Sequence, residues 1–415
     1  MSNGNTAPVN NVGGGFGTLQ INTFLNSFGR PAEDAVVQIT DPDTGIILEE
    51  SKTNSNGQIL PITLATPPLE FSMNPDLPRP FNQYNVKVMY PSYQEAIINN
   101  VQLFPDTAAV QNVTLTSSFE EIFIPYPVLW GNFPPKIPEP EVKSLPLPSN
   151  EVVLPEPVVP SLIVVHDGVP DDTSASNYTL GFKDYIKNVA SSEIYSTWPI
   201  ETLKANILVI ISFTLNRVYT EWYRGKGYDF TITSSTAYDQ AFSYGRNIYR
   251  EISRLVDDLF TTYVTRPGIM QPLLTQYSDG RMVKRDGWLS QWGSKELGDR
   301  GLNAIQILRN YYGYNVFLKE AKKVEGIPLS FQGVLRIGSR GEAVRTIQHQ
   351  LNAISRSFPA IPRVIEDGIY GASTAESVRI FQSIFGLPVN GIVNFPTWYR
   401  ISDVFVAVEK LAELI

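Results

Sequence analysis

The stretch Leu335-Arg-Ile-Gly-Ser-Arg-Gly-Glu-Ala-Val344 opens the most regular part of the chain. Gly338 and Gly341 suit a tight turn ahead of a helix, because glycine adopts left-handed backbone conformations at little cost. Apolar residues then recur at the spacing of one helical face. They are Val344, Ile347, Leu351, Val378, Phe381 and Ile384. With short glycine-bearing connections between the segments, the pattern predicts a small three-helix unit over residues 331–415.

The N-terminal part of the chain has a different pattern. Residues 1–16 are rich in Gly and Asn and are expected to be disordered. Over residues 17–117, apolar and polar residues alternate as in strands, for example at Leu19, Ile21 and Thr23. Turn signals such as Asn56-Gly57 separate these runs. Short strands with frequent turns predict a β-sandwich.

Residues 118–160 are rich in proline, as in Pro134-Pro135. Proline fixes φ and lacks an amide donor, so the segment is expected to be extended. It is interpreted as a spacer between domains. The alternative is a strap packed on the next domain, with Trp130 and Phe133 as its anchors.

Residues 161–330 combine both patterns and predict an α+β domain. Strands are expected at 163–165 and 230–233, and a long helix is expected at 201–222, just after Pro199. Further helices are expected at 239–262 and 302–312. The fold class predicted for the whole chain is therefore multidomain, with a β-sandwich, a central α+β domain and a three-helix unit.

Composition excludes several kinds of site. The 415 residues include no cysteine, which rules out thiolate nucleophiles, disulfides and Cys-ligated zinc. Only two histidines are present: His166 is interpreted as structural, and His349 as a solvated residue on a helix face. The net charge of −8 provides no general attraction to nucleic acid or to an anionic membrane, so neither is an expected partner. No secretory signal is expected, since the N-terminus lacks a basic segment followed by an apolar one.

The C-terminal unit resembles the first family of peptidoglycan-binding domains. The resemblance runs from Leu335 to Trp398 and includes Asp367-Gly-Ile-Tyr-Gly371 and Phe381-Gln382. It implies binding to the bacterial cell wall. The candidate wall-binding side chains are Arg340, Tyr370 and Gln382, which we expect to be exposed.

The central region resembles the stage II sporulation protein D family of lytic transglycosylases. The resemblance rests on Phe182–Ile194, Trp198-Pro199, Glu201–Ala205, Gly287–Gly293 and Ile305–Tyr312. It implies that Glu193 is the catalytic acid, placed in a segment that connects two elements. The candidate substrate-binding residues are Tyr238, Ser278, Ser290, Gln291 and Trp292. A looser resemblance of residues 17–117 to the carboxypeptidase-regulatory-like sandwich implies a fold and no chemistry.

The central region departs from that family at two places. Ile211 stands where the family has an arginine in the long helix, which leaves the substrate contacts there open. Ser234-Ser-Thr-Ala-Tyr238 replaces a Cys/His cluster that is frequent in the family. Hydroxyl and backbone oxygens are poor zinc ligands, so neither a metal nor another cofactor is expected.

The order of these regions resembles that of the clostridial spore cortex-lytic enzymes. This implies a spore protein made in the mother cell, with cortex peptidoglycan as substrate. It also implies a proenzyme cut by a subtilisin-like germination protease, for which Thr116–Ile122 is the expected region. The leading interpretation is a lytic transglycosylase. Two alternatives remain open: a hydrolysing muramidase with Asp239 as second acid, and a non-catalytic structural protein of the spore coat or wall.

Overall fold

A computed structural model describes residues 13–25, 30–142, 157–324 and 334–394. It also describes 397, 398, 400–402, 404, 405 and 408. Most of the segment expected to be disordered, residues 1–12, lies outside this description. Gly15 and Phe16 begin the first strand, so the predicted boundary at residue 16 is too late.

The N-terminal region forms one five-stranded sheet and supplies four strands of a second. Its elements are β1 Gly15–Leu25, β2 Arg30–Pro31, β3 Val36–Thr40, β4 Ile47–Lys52, β5 Ile62–Thr66, α1 Glu70–Met73, β6 Asn82–Met89, β7 Ala96–Leu103, β8 Ala108–Leu115 and β9 Glu120–Phe123. One sheet has the order β4-β3-β6-β7-β9, and in the other β1 lies between β8 on one side and β2 and β5 on the other. Alternate residues of β1 are buried, beginning with Leu19 and Ile21, as the period of two predicts.

The central region is built around one buried helix. Its elements are β10 Val158–Pro160, β11 Leu162–His166, β12 Asn177–Gly181, α2 Phe182–Glu193, α3 Ile200–Tyr219, β13 Ile232–Thr233, β14 Ile248–Tyr249, α4 Arg250–Leu259, β15 Thr262–Thr265, β16 Tyr277–Ser278, β17 Leu289–Ser290, α5 Gln291–Asp299, α6 Ala304–Tyr312, β18 Phe317–Glu320 and β19 Lys322–Val324. Helix α3 begins after Pro199 and is buried nearly all round, since its apolar residues cover every face.

The helix expected over residues 239–262 is wrong in its first half. Residues 239–247 are irregular, and β14 follows before α4 begins at Arg250. Gly245 has a φ of 73°, which a helix does not accommodate. The backbone groups of Ser243 bond instead to the side chain of Asn188, so the irregular segment is satisfied without helical hydrogen bonds.

The sandwich is joined to the central region through a shared sheet. Strand β14 pairs with β8, with Tyr249 opposite Ala109. Beside it, the side chain of Gln102 accepts a hydrogen bond of 2.8 Å from Arg246, and the indole of Trp198 donates one of 3.0 Å to Ser72. A strand from residue 248 onward therefore completes a sheet whose other members lie before residue 117.

Residues 124–142, here called the strap, cross the surface of the central region. Backbone hydrogen bonds hold it there, from Val128 to Ser192, from Ile137 to Ala237 and from Leu274 to Glu141. The spacer interpretation is therefore wrong for these residues. The rest of the proline-rich segment, 143–156, lies outside the described part of the chain.

The expected anchors of the strap are also corrected. Trp130 is 37% exposed and Phe133 is only half-buried. Charged residues hold the strap instead: Glu139 pairs with Arg217, and Glu141 pairs with Arg266. Lys136 is buried. A buried charge needs a partner, so these contacts specify one position for the segment.

The C-terminal region contains α7 Glu342–Ser357 and α8 Ala372–Ile384. The described residues between 397 and 408 are also helical, in agreement with the predicted three-helix unit. Within the part of the chain that the structure describes, no helix combines the length and apolarity that crossing a membrane requires.

Candidate active site

Glu193 is the last residue of α2, one turn beyond the apolar positions Ile186, Val189 and Ala190 that hold this helix in the core. The expected connecting segment is therefore a helix end. The residue is only 2% exposed. Burying a carboxylate costs free energy unless hydrogen bonds compensate the loss of water. The hydrogen-bond partners of Glu193 therefore show how its charge is stabilised.

Three donors from distant parts of the chain meet this carboxylate. Its Oε1 accepts hydrogen bonds of 2.9 Å from the backbone amide of Ala241 and from the hydroxyl of Tyr277. Its Oε2 accepts one of 3.1 Å from Nε2 of Gln291. The fold thus gathers the irregular segment, β16 and the start of α5 around one acidic group. All three donors are neutral.

Tyr277 is suited to remain a donor. Burial raises the pKa of its hydroxyl well above the usual range, and the negative charge of Glu193 acts in the same direction. The hydroxyl therefore stays protonated at neutral pH, pointing at the carboxylate. Sequence reasoning missed this residue, although its neighbour Ser278 was a candidate.

Lys136 of the strap lies next to this group. Its Nζ is 5.0 Å from the ring centroid of Tyr277 and 4.8 Å from that of Phe213. Burial lowers the pKa of Lys136 to about 8, against the opposing attraction of Glu193 and Asp239. The strap thus places an ammonium group beside the candidate acid.

The strap leaves very little space around Glu193. The cavity that this carboxylate faces, here called the chamber, has a volume of about 50 Å³. Its lining includes Phe133, Pro134, Pro135 and Lys136 of the strap. Ligand sites are usually several hundred Å³ in volume, so a sugar ring requires the strap to move.

A second buried carboxylate, Asp239, lies in a different environment. Its Oδ1 is 2.7 Å from Nε of Arg217, and its Oδ2 accepts hydrogen bonds from Tyr223 and Thr233. Arg217 in turn binds both oxygens of Glu139 in the strap. Asp239 is thus fully occupied by an ion pair and its neighbours.

Arg217 was missed because the comparison with the family drew attention to Ile211. Ile211 is buried in the apolar core of α3. Arg217 lies in the same helix and is 1% exposed. An arginine inside an otherwise apolar helix was the available signal, since buried arginines are almost always paired.

The candidate substrate residues fall into two neighbouring sites. Gln291 and Ser278 line the chamber with Glu193. Ser290, Trp292 and again Ser278 line a wider cavity of about 870 Å³, here called the groove. Ser278 is common to both, so the groove and the chamber are neighbours.

Tyr238 lies apart from these residues and is absent from the described lining of the chamber. Its carbonyl oxygen accepts a hydrogen bond of 2.9 Å from Arg217. Its part of the segment 234–238 supports the strap, because Thr236 donates to Pro134 and Ala237 accepts from Ile137. No group of three or more potential metal-ligating side chains occurs in the described ranges.

Two of the expected wall-binding side chains are buried, contrary to expectation. Tyr370 is 0% exposed and donates to the carbonyl of Gly391. Gln382 is 0% exposed and bonds to Asn390, Ile392 and Thr397. Both therefore hold the fold together. Arg340 is exposed.

Gln382 has a counterpart earlier in the unit. The amide of Gln348 donates to Asp367, Ile369 and Thr374, as that of Gln382 does to its three partners. Each glutamine also accepts a hydrogen bond from the backbone of a glycine, Gly368 or Gly391. The unit thus contains two copies of one helix-to-turn connection.

Two families match parts of the chain. Residues 172–259 match the stage II sporulation protein family, and residues 340–401 match a peptidoglycan binding domain family. Glu193 lies in the first match and Arg340 begins the second.

Solved structures resemble smaller parts. The crystal structure of the SleB N-terminal domain has 30% identity, covers 17% of this chain and 90% of that chain, and has a TM-score of 0.15. The 5-hydroxyisourate hydrolase of Klebsiella pneumoniae has 17% identity, covers 24% of this chain and 91% of that chain, and has a TM-score of 0.17. No curated protein sequence matches the chain significantly. The two family matches support a protein of the sporulation type that acts on the cell wall and whose partner is peptidoglycan.

Proposed function

We propose that the chain is a spore cortex-lytic enzyme that cleaves the glycan strands of peptidoglycan as a lytic transglycosylase, with Glu193 as its one acid and base. The observation that carries this proposal is the setting of Glu193. It is a buried carboxylate with three neutral donors, and it lines a small chamber that lies next to a wider groove. The family matched by the surrounding residues, together with the peptidoglycan-binding unit, supports the choice of substrate.

The reaction needs only one carboxyl group. Protonated Glu193 donates its proton to the glycosidic oxygen as the bond to C1 of the muramic residue breaks. The resulting carboxylate then takes the proton of the C6 hydroxyl, while that oxygen forms a bond to C1. The products are a free 4-hydroxyl on the leaving sugar and a 1,6-anhydromuramic end. No water is consumed.

Tyr277 and Gln291 position the carboxyl group for both steps. Two neutral donors hold both oxygens without neutralising the group, so the carboxylate formed in the first step is stabilised and correctly oriented. Oε1 of Gln291 is buried and has no hydrogen-bond partner among the described residues. It is therefore free to accept a bond from a sugar hydroxyl that enters the chamber.

The muramidase alternative requires a second acid, and Asp239 fits that role poorly. Its oxygens are bound to Arg217, Tyr223 and Thr233, which leaves no place for an activated water. The transglycosylase proposal does not depend on Asp239. It requires one carboxyl group, which Glu193 supplies.

The covered chamber supports a proenzyme. The strap carries Lys136 and two prolines over Glu193, and the sandwich is continuous with it. A cut within Thr116–Ile122 separates the sandwich sequence but leaves the strap attached to the catalytic region. Of that stretch, the residues from Glu120 onward belong to β9, whereas 117–119 are exposed. Release of the strap additionally requires a cut after Glu141.

Mass spectrometry of released muropeptides tests these proposals. We expect 1,6-anhydro products, which are lighter by one water than the products of hydrolysis. A fragment that begins at residue 157, and so lacks the strap, should release these products at least about tenfold faster than the intact chain. A fragment that begins at residue 120, and so keeps the strap, should release them at a rate close to that of the intact chain. Hydrolysed ends would refute the transglycosylase reaction. Equal rates for all three proteins would refute restraint by the strap, and a lack of release by any of them would favour the non-catalytic alternative.

A further inference from the structure

The groove beside the chamber has a lining unlike the rest of the molecule. It lies between residues 73–76 of the sandwich and the loop that joins β16 to β17. That loop presents three exposed cations, Arg281, Lys284 and Arg285, in a chain whose net charge is −8. Three positive charges concentrated at the approach to Glu193 indicate a negatively charged ligand.

The other charged groups in the groove offset these cations only in part. Lys295 pairs with Asp299 at 2.7 Å, and Glu296 lies 4.0 Å from Arg300. Asp286 is exposed on the same loop. Asp279 is bound by the loop itself, since its carboxylate accepts from the amides of Met282 and Val283. That contact fixes the shape of the loop and leaves its cations facing outward.

A carboxylate already occupies part of this surface. Asp76 of the sandwich forms an ion pair with Arg281, with 2.5 Å between Oδ1 and Nη2. Both side chains are largely exposed, so the pair adds little to stability. The ion pair shows that Arg281 can bind a carboxylate at this position.

We propose that the groove binds peptidoglycan strands through the carboxylates of their muramic-acid substituents, with Arg281, Lys284 and Arg285 as the cations, and that Asp76 takes the place of one such carboxylate in the intact chain. This inference rests on the proposed function and adds the substrate class. The carboxylate is that of the lactyl group or of the stem peptide. Trp288, Trp292 and Tyr311 line the same groove and supply apolar surface for the sugar rings.

Binding measured without turnover tests this inference. The full chain carrying Glu193→Gln is titrated with soluble glycan strands that bear stem peptides. Adding Lys284→Glu and Arg285→Glu should weaken binding about fivefold for each reversed charge, and the loss should shrink at high salt. Adding Asp76→Asn should tighten binding a few-fold by freeing Arg281. Lys319→Glu, an exposed lysine outside the groove, is the matched control and should change nothing.

Chemically altered strands complete the test. Strands whose carboxyl groups have been converted to neutral amides should bind equally to the parent and to the charge-reversed protein. Amidase treatment removes the stem peptides and frees the lactyl carboxylate, which is an amide in the untreated strands. A charge effect with the treated strands shows that the groove accepts the lactyl carboxylate, whereas loss of the effect assigns recognition to the carboxylates of the stem peptide. The inference is overturned if charge reversal weakens the neutral strands equally, or leaves the charged strands unaffected. Because the experiment measures binding and not turnover, neither of these results would follow merely from the absence of the proposed transglycosylase reaction.

Discussion

Glu193 and Asp239 are both buried carboxylates in the central region, and they differ in their partners. Asp239 is neutralised by Arg217, a full positive charge at 2.7 Å. Glu193 is held by an amide, a hydroxyl and a carboxamide, all neutral. Because its charge is paired with a buried arginine, Asp239 is expected to be structural, whereas Glu193, which is held by neutral donors, is the better candidate for acid–base chemistry. Burial alone therefore does not identify the catalytic group.

The largest effect on stability is expected at the Asp239 cluster. Arg217→Met leaves Asp239 buried without its counter-charge, and breaking a buried pair in this way costs about 3–5 kcal/mol. The free energy of unfolding in urea measures this. The double variant Arg217→Met, Asp239→Asn should recover part of the loss. A loss below about 1 kcal/mol for Arg217→Met would show that the pair is not structural.

The largest effect on activity is expected at Glu193. Glu193→Gln keeps the shape of the side chain but removes its acid, so release of anhydro-muropeptides by the fragment from residue 157 should fall at least about 100-fold. Its unfolding free energy should change by less than that of Arg217→Met. Retained release would exclude Glu193 from the reaction. A collapse of stability would instead make Glu193 a structural carboxylate like Asp239.

The sequence singled out Glu193 as a candidate but did not predict its surroundings. The resemblance selected the residue, yet Ser191 and Ser192 suggested a loop where α2 continues. Tyr277 and Gln291 lie 84 and 98 residues away in the chain, so only the fold reveals that they meet Glu193. The sandwich strands and α3 were predictable because local periodicity sets them. The position of the strap was not, since it depends on pairing with Arg217 and Arg266.

In the C-terminal unit, too, the sequence pattern did not reveal which groups a side chain contacts. Tyr370 and Gln382 are polar enough to suggest exposure, but their partners are backbone groups and side chains near Gly391 that periodicity does not reveal. The repeated order of Gln, Gly and Thr was a usable signal. Thr374 and Thr397 each lie six residues after the glycine of their connection, although the glutamines lie 20 and 9 residues before it. The repeated interval from Gly to Thr indicates a common structural role.

Lys136 provides a pH-dependent test of the covered chamber. Burial lowers its pKa to about 8 in the folded chain, from a usual value near 10.5. Between these values the unfolded chain binds more protons, so the contribution of Lys136 makes stability rise with pH, starting near pH 8. Below that range the cost of burying the charged lysine is fully present.

The size of the pH effect on stability follows from the lowered pKa of Lys136. Between pH 7 and 9.5, the wild type should gain about 2 kcal/mol relative to Lys136→Met, from about 1.4 kcal/mol for each pKa unit. Urea unfolding of both proteins at the two pH values measures the difference, and tyrosine ionisation cancels in the comparison. Parallel pH profiles would show that Lys136 is not buried beside Glu193.

The smallest effect on stability is expected from Arg340 in the C-terminal unit. Arg340 is exposed and Gln382 is buried, so the two residues should differ in whether they affect binding or stability. Arg340→Ala should leave the unfolding free energy within about 0.5 kcal/mol of wild type, because surface substitutions rarely exceed that. Retention on purified sacculi should nevertheless weaken a few-fold.

Gln382→Ala should lower the unfolding free energy and leave retention on sacculi unchanged. The substitution leaves the backbone amides of Asn390 and Gly391 without their acceptor, which costs about 1–3 kcal/mol. Sedimentation with sacculi, at a temperature where both variants are folded, compares the two. If Gln382→Ala weakens retention while its stability is unchanged, the buried glutamine is a binding residue after all, and the structural role of the repeated connection would have to be abandoned.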